Sequence, residues 1–517
     1  MLSLMLATTV LLLIICWPIA RWYQVKSYWY NRGVPYLPPH PLMGSMTFLQ
    51  KQNPAMWFRY LYANFRSPYV GIWLFWRPAL VVQSPDIARR ILVKDSAIFR
   101  NRFLNSGKTD PIGSLNIFTT NDPLWSSIRR RLTPVFTSSK LRNMYGFVSE
   151  KSNELVQRIK ADMEKDGRAN IKIIFTDYTT DVVGTASLGV SSDATITGGG
   201  ALRAITKDFM HFSFYRGLCW SSIFFFPELV DIFRFSLFPK ATTDYFRKIY
   251  HEVVAQRGGY EKSSIGNKDL LDALRKIKQD SIRDNEDISD DTLIAQAAVF
   301  LQGGFDTTSS ILTYCVYELA HQPHLQKKLY DELKEAKEKN GNKELDSVAL
   351  HGLIYIHCLM KETLRKYTPI GWLDRVATKD YKIDENLTIT AGTPVYVNTT
   401  GMHYDANYFP DPKKFDPDRF LPENENHLKP FTYMPFGEGP RNCIVHRFAE
   451  HNLRSTLAAI VFHFELRPKP NAPLPSETEP EKEGTFLMPG QNLYVECLYR
   501  ETHSTNKLPH VMAFIPT

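Results

Sequence analysis

The chain lacks a disulfide framework: six cysteines are spread along 517 residues, too thinly for a stapled scaffold, and a reducing compartment is the default. It lacks internal repeats. Between a proline-rich stretch near residue 40 and about residue 500 it also lacks a long flexible linker. The three domains suggested by a prior of about 150 residues per domain therefore give way to one large domain. Disorder and collagen-like sequence are excluded by a 44% apolar content, which can bury a substantial core. Lys+Arg 62 against Asp+Glu 54 gives only +8. That balance suits an acidic partner or a membrane surface, and no nucleic-acid partner is expected. The most telling absence is local. The first 20 residues carry no charged side chain.

Met1 to Ala20 is about long enough for a helix to cross a bilayer. Arg21, Lys26 and Arg32 follow, mixed with Trp22, Tyr23, Tyr28, Trp29 and Tyr30, as at a headgroup layer with positive charge on the cytosolic side. A cleaved signal peptide would use Pro18-Ile19-Ala20, and a mitochondrial transit peptide would need arginines that the first 20 residues lack. The flanking charges favour an uncleaved transmembrane signal anchor over 1–20. A basic, aromatic and proline-rich linker is expected over 21–41, a catalytic domain over 42–500 and a tail over 501–517.

Helical patterns dominate. Asp290 and Asp291 are candidate caps for a helix from Thr292 to about Ala320, apolar on nearly all sides and so expected to run through the core. Further helices fit 325–339, 353–366 and 446–461. Strands fit Tyr381–Ile383, Leu387–Ile389 and Val395–Val397, with Ala391-Gly392-Thr393 as a turn. Residues 258–290 read as a charged loop and 468–484 as a Pro/Glu-rich surface loop.

Four patterns carry chemistry. In Phe436-Gly437-Glu438-Gly439-Pro440-Arg441-Asn442-Cys443, a glycine-rich loop gathers amides before a cysteine that opens a helix. This placement stabilises a thiolate, a soft ligand for iron; the other five cysteines read as inert. Gly303-Gly304-Phe305-Asp306-Thr307-Thr308 puts two glycines inside the long helix, each costing about 1 kcal/mol relative to alanine. Their absent side chains admit a flat ligand and favour a local bulge, while the acid and hydroxyls can move protons. Glu362 and Arg365 lie one helical turn apart, with Phe415-Asp416-Pro417-Asp418-Arg419-Phe420 downstream. Trp125 and Arg129 are likewise one turn apart, so an indole N–H and a guanidinium can share an anion.

Taken in chain order, the patterns resemble the cytochrome P450 family. Phe436, Gly439, Arg441 and Cys443 match its haem loop, Phe-x-x-Gly-x-Arg-x-Cys-x-Gly, whose last glycine is Val445 here. The resemblance implies a mainly α fold with small β-sheets and a haem b held between the long helix and the helix after the Cys loop. It makes Cys443 the axial iron ligand, with Phe436 packed on its sulfur, and Arg441, Trp125, Arg129, Arg102 and Arg375 binding haem propionates. Thr307 orders water near bound dioxygen and Asp306 is the relay acid. Glu362, Arg365 and Arg419 form a buried structural triad. His403-Tyr404-Asp405 departs from the family's His-Arg-Asp.

TTDVVGTASLG, KETLRKYTPI and FDPDRF further resemble insect microsomal members of the detoxifying type. They imply a monooxygenase in the endoplasmic reticulum membrane, its catalytic domain facing the cytosol, acting on a lipophilic xenobiotic, hormone or lipid. Electrons would come from NADPH through a flavoprotein reductase, with cytochrome b5 as an optional second donor. Arg130, Arg131, Lys140 and Arg142 are candidates for the docking surface. Residues 209–238, dense in aromatics, would roof the site. The alternative is a haem-binding protein whose catalysis Val445 has impaired. The sequons at Asn386 and Asn398 should stay bare under a cytosolic topology. A mobility shift on endoglycosidase treatment would overturn that orientation.

Overall fold

The computed structural model describes residues 16–190, 192–261, 269–286 and 288–500; the side chains of 138–140 and 143 are also outside the description. Most of the expected anchor, and all of the tail over 501–517, lie outside these residues. Residues 16–26 are helical. Among the described residues no helix is long and apolar enough to cross a membrane.

The helices that position the site are α1 (Pro54–Asn64), α2 (Leu124–Leu132), α3 (Ser138–Asp166), α4 (Ile171–Leu188), α5 (Phe214–Phe225), α6 (Leu270–Arg283), α7 (Asp290–His321), α8 (Pro323–Lys339), α9 (Ile354–Lys366) and α10 (His446–His463). Beside them lie β1 (Tyr69–Leu74), β2 (Arg77–Val82), β3 (Ala169–Asn170), β4 (Leu373–Val376), β5 (Tyr381–Lys382), β6 (Thr388–Ile389), β7 (Pro394–Val397), β8 (Phe464–Pro468) and β9 (Tyr494–Tyr499). They form three small sheets, ordered β1-β2-β7-β4, β3-β9-β8 and β5-β6. In the first, β2 runs parallel to β7, with Leu80 opposite Val395, and the other pairs are antiparallel.

Helix α7 is the axis of the fold, buried along most of its length and packed on α4 and α10. Its cap is Ser289, whose hydroxyl accepts from Thr292 N at 3.2 Å. Asp290 and Asp291 sit instead in the first turn, where they favour the helix dipole and pair with Lys278 and Arg247. The supposed loop over 258–290 contains α6, capped by Asp269. Its Leu270, Leu271, Leu274 and Ile277 face the core, a helical stripe hidden by the surrounding charge.

The expected linker over 21–41 is not free. Trp29 is fully buried and donates to Ile72 O at 3.0 Å, while Trp73 donates back to Val25 O at 3.0 Å. Two indoles, each finding an acceptor when buried, staple the segment to β1. A Cβ on Gly71 would collide with the Trp29 ring. The aromatics of 209–238 divide in two: Trp220, Phe224 and Phe225 are core, whereas Phe214, Tyr215 and Phe233 are exposed. The side chain of Asn398 is wholly buried and bonds Phe58 O and Gly401 N. Only the exposed Asn386 sequon can therefore report on topology.

Glu362 on α9 is completely buried and accepts from Arg365 Nε at 2.7 Å and Nη2 at 2.8 Å; Arg419 Nε lies 3.6 Å away. Arg365 also donates to the carbonyls of His403 and Pro412, and Asp416 N donates to Glu362. The three residues thus clamp the 403–419 segment to α9. Tyr404, in the position of the family arginine, stacks under the Arg59 guanidinium at 3.7 Å and donates to Lys366 O at 3.0 Å. The cation is supplied from α1 instead. Replacing Glu362 with Ala leaves two guanidinium groups without their counter-charge. It should cost about 3–5 kcal/mol, read as a lowered denaturant midpoint.

Candidate functional site

The Cys loop depends on two glycines in left-handed backbone, Gly437 (φ 71) and Gly439 (φ 74). A Cβ on Gly439 would run into the Leu92 carbonyl, so only glycine fits. Past this turn Cys443 N donates to Phe436 O at 2.8 Å, and Val445 occupies the N-cap of α10. Burial raises the proton affinity of the Cys443 thiol; the Val445 N–H, Arg129 and Arg102 oppose it without winning. The expected net stabilisation of a thiolate is therefore corrected. The loop lessens the cost, and a coordinated metal must supply the remaining driving force for deprotonation.

Cys443 opens on a cavity whose far wall is the middle of α7, with Gly303, Thr307 and Thr308 facing it. A Cβ on Gly303 would meet nothing within 4 Å, whereas one on Gly304 would strike Val183 of α4. One glycine gives room to the cavity and the other to helix packing. The helix shows no bulge. Thr307 Oγ1 simply adds a bond to the Gly303 carbonyl at 2.6 Å. Asp306 does not line the cavity. It is 2% exposed, its Oδ1 has no partner among the described residues, and burial raises its pKa to about 7.

Arg102, Trp125, Arg129 and Arg441 also line the cavity, with buried Arg375 nearby. Arg441 donates to Arg100 O at 2.5 Å and Thr120 O at 3.0 Å and lies over the Trp125 ring at 4.2 Å. Arg129 is held by Asn442, through its carbonyl at 3.0 Å and its Oδ1 at 2.8 Å. Trp125 and Arg129 both face the cavity, where they can share an anion, and Arg441 adds its guanidinium over the indole ring. Burial, with repulsion from Arg102 and Arg375, lowers the Arg441 pKa to about 8; burial and Arg102 lower Arg375 to about 10. Asp374 offsets both, with Asp122 also acting on Arg441, and Asp374 already accepts Phe103 N and Leu104 N. Arg102 Nε and Arg441 Nη1 are buried without partners among the described residues. A surplus of buried cations with unused donors, one soft sulfur and otherwise mostly apolar walls fit a flat metal-bearing group with two carboxylates.

The spacing of the motifs did not reveal Asn442, Asn121 or Asp374. Asn121 accepts from both Arg102 N and Arg441 Nη2, and the only sequence signal for Asp374 is its place beside Arg375. Of the proposed docking residues, Arg130 and Arg142 are exposed. Arg131 is tied to Glu286 at 2.6 Å, and the Lys140 side chain lies outside the described residues.

Comparison with known proteins agrees with this geometry. The family profile described as Cytochrome P450 matches residues 34–497. Cytochrome P450 6k1 of Blattella germanica is 33% identical, over 88% of this chain and 90% of its own. Probable cytochrome P450 6g2 of Drosophila melanogaster is 34% identical, over 82% and 86%. Cytochrome P450 9e2 of Blattella germanica is 29% identical, over 90% and 92%. A profile that spans nearly the whole described chain, with relatives matched over most of their own length, means that the chain belongs to the cytochrome P450 family and is a haem monooxygenase.

Proposed function

We propose that Cys443 is the axial ligand of a haem b seated between α7 and α10, and that the enzyme inserts one oxygen atom into a lipophilic substrate at the endoplasmic reticulum membrane. The observation that carries this reading is the meeting of Cys443 and the under-neutralised Arg102, Arg129, Arg375 and Arg441 group around one apolar cavity. When bound, the haem supplies oxygen activation. The chain's own residues bind, orient and protonate. Arg102 Nε and Arg441 Nη1, buried without partners among the described residues, would hold the haem carboxylates beside the Trp125 ring. Phe436, which lines the same cavity as Cys443, would limit water at the sulfur. Thr307 presents its side chain to the cavity. A carboxyl titrating near neutrality, as Asp306 does, can both hold and release a proton. NADPH would reduce the enzyme through a membrane flavoprotein reductase, with cytochrome b5 as a second donor and the exposed Arg130 and Arg142 on the docking face. The exposed Phe214, Tyr215 and Phe233, with Trp17 and Tyr23 near the amino terminus, suit a membrane surface and a membrane-borne substrate of xenobiotic, hormone or lipid type.

Three results test this reading. The reduced, carbon-monoxide-bound protein should show a strongly red-shifted Soret band that Cys443→Ser abolishes; purified protein without haem would overturn both site and function. Val445→Gly should leave haem content unchanged, and a marked rise would restore the reading of a binding protein with impaired catalysis. Asp306→Asn should lower turnover on the order of a hundredfold, read as NADPH consumption with reductase and a panel of lipophilic substrates. The Asp306 pKa is raised on folding, so the native state binds more protons and wild-type stability falls as pH rises from about 4 to about 7. Urea midpoints across that window should be flatter in Asp306→Asn.

A further inference from the structure

Gln296 lies on α7 about three turns before Thr307 and is 1% exposed. Its Oε1 accepts from Ile117 N at 2.8 Å, while its Nε2 donates to Leu115 O at 2.8 Å and Thr292 O at 2.7 Å. Two carbonyls on one side and an N–H on the other fix the carboxamide in a single orientation. Between the two loop partners sits fully buried Asn116. Its Oδ1 accepts from Phe118 N and Thr119 N, and its Nδ2 donates to Gly113 O. The 113–119 turn is therefore closed on itself by Asn116 and moored to the long helix by Gln296. The two residues it carries forward, Ile117 and Phe118, line the cavity. Phe118 also lies 4.4 Å from the Arg102 guanidinium and 6.1 Å from the Phe224 ring of α5.

From this geometry we infer that Gln296 is a positioning residue that fixes the Ile117–Phe118 wall and so governs which ligands, by size, the cavity accepts. The inference rests on the proposed haem site. Gln296 touches no part of the cavity itself. It acts through the loop, because an apolar side chain in its place would leave the Ile117 N–H and the Leu115 carbonyl buried and unpaired. The turn would then reopen toward water to satisfy them. The carboxamide is neutral, so this effect carries no pH dependence of its own.

The test uses the haem-loaded full chain and two nitrogenous iron ligands, small imidazole and bulky clotrimazole, titrated by their Soret shifts. Gln296→Leu should change the ratio of the two Kd values by about tenfold, with the imidazole Kd nearly constant. It should also accelerate amide exchange in the peptide covering 113–119. Phe118→Ala should reproduce the change in ratio, and the double variant should add nothing to Phe118→Ala. An equal change for both ligands, unaltered exchange, or additivity of the two substitutions would overturn the inference. Should Gln296→Leu fail to accumulate as haem protein, Gln296→Glu is read in the same assays, since it keeps the acceptor for Ile117 and loses the donor to Leu115. Absence of any imidazole shift in the wild type would refute the haem site, while the exchange measurement would still decide whether Gln296 moors the loop.

Discussion

The site is organised around an electrostatic imbalance. Four guanidinium groups, Arg102, Arg129, Arg375 and Arg441, converge in low-dielectric surroundings, with Asp374 opposing Arg102, Arg375 and Arg441, and Asp122 also opposing Arg441. Such a cluster repels itself unless an anion joins it. The same cations are also structural ties: Arg441 holds the Cys loop to the carbonyls of Arg100 and Thr120, and Arg129 holds it through Asn442. Segments near residues 102, 120–129, 374 and 436–443 meet there. An anionic ligand that relieves the repulsion therefore also stabilises the convergence, so binding and local folding are thermodynamically linked.

The opposite requirement, rigidity, is met behind the loop by a balanced cluster. Glu362 faces Arg365 and Arg419, and the remaining Arg365 donors are taken by the carbonyls of His403 and Pro412. His403 accepts from Met434 N at 3.0 Å, two residues before Phe436, and burial with nearby Arg365 keeps its pKa low, at about 3. A neutral imidazole is what that hydrogen bond needs. One polar cluster is left short of negative charge to receive a ligand, and the other is balanced in charge by Glu362 and holds the receiving loop still.

The long helices were legible because their apolar periodicity is strong. The observed Asp290–His321 and Ile354–Lys366 lie within a few residues of the expected spans. The chemistry-bearing motifs were legible because unusual residue types sit at short spacing. What stayed hidden depends on distant partners. Nothing local in the sequence says that the Trp29 indole donates to Ile72 O and the Trp73 indole to Val25 O, or that Gln296 reaches Leu115 and Ile117. Asn442 looks like a loop filler until Arg129 is seen on it. The Cys443 thiol misled for a different reason. Amide donors and neighbouring cations were readable as stabilising a thiolate, but the desolvation that outweighs them is a property of the closed cavity.

The valine at 445 separates two duties that glycine performs together in the family motif: conformational freedom and small size. Its φ of −105 and ψ of 15 are open to any residue, so no left-handed strain follows from the substitution. Its carbonyl accepts from Ala449 N at 3.0 Å, which starts α10, and its N–H still opposes the burial of the Cys443 sulfur. Only size is altered, since the side chain joins Ile444 and Phe448 on the cavity wall. A branched side chain on an apolar wall changes packing, and it removes neither a donor, nor a cation, nor the hydroxyl across the cavity. Thr307 keeps its place on the cavity wall beside the substitution, and turnover, not bare binding, is the reading these residues favour.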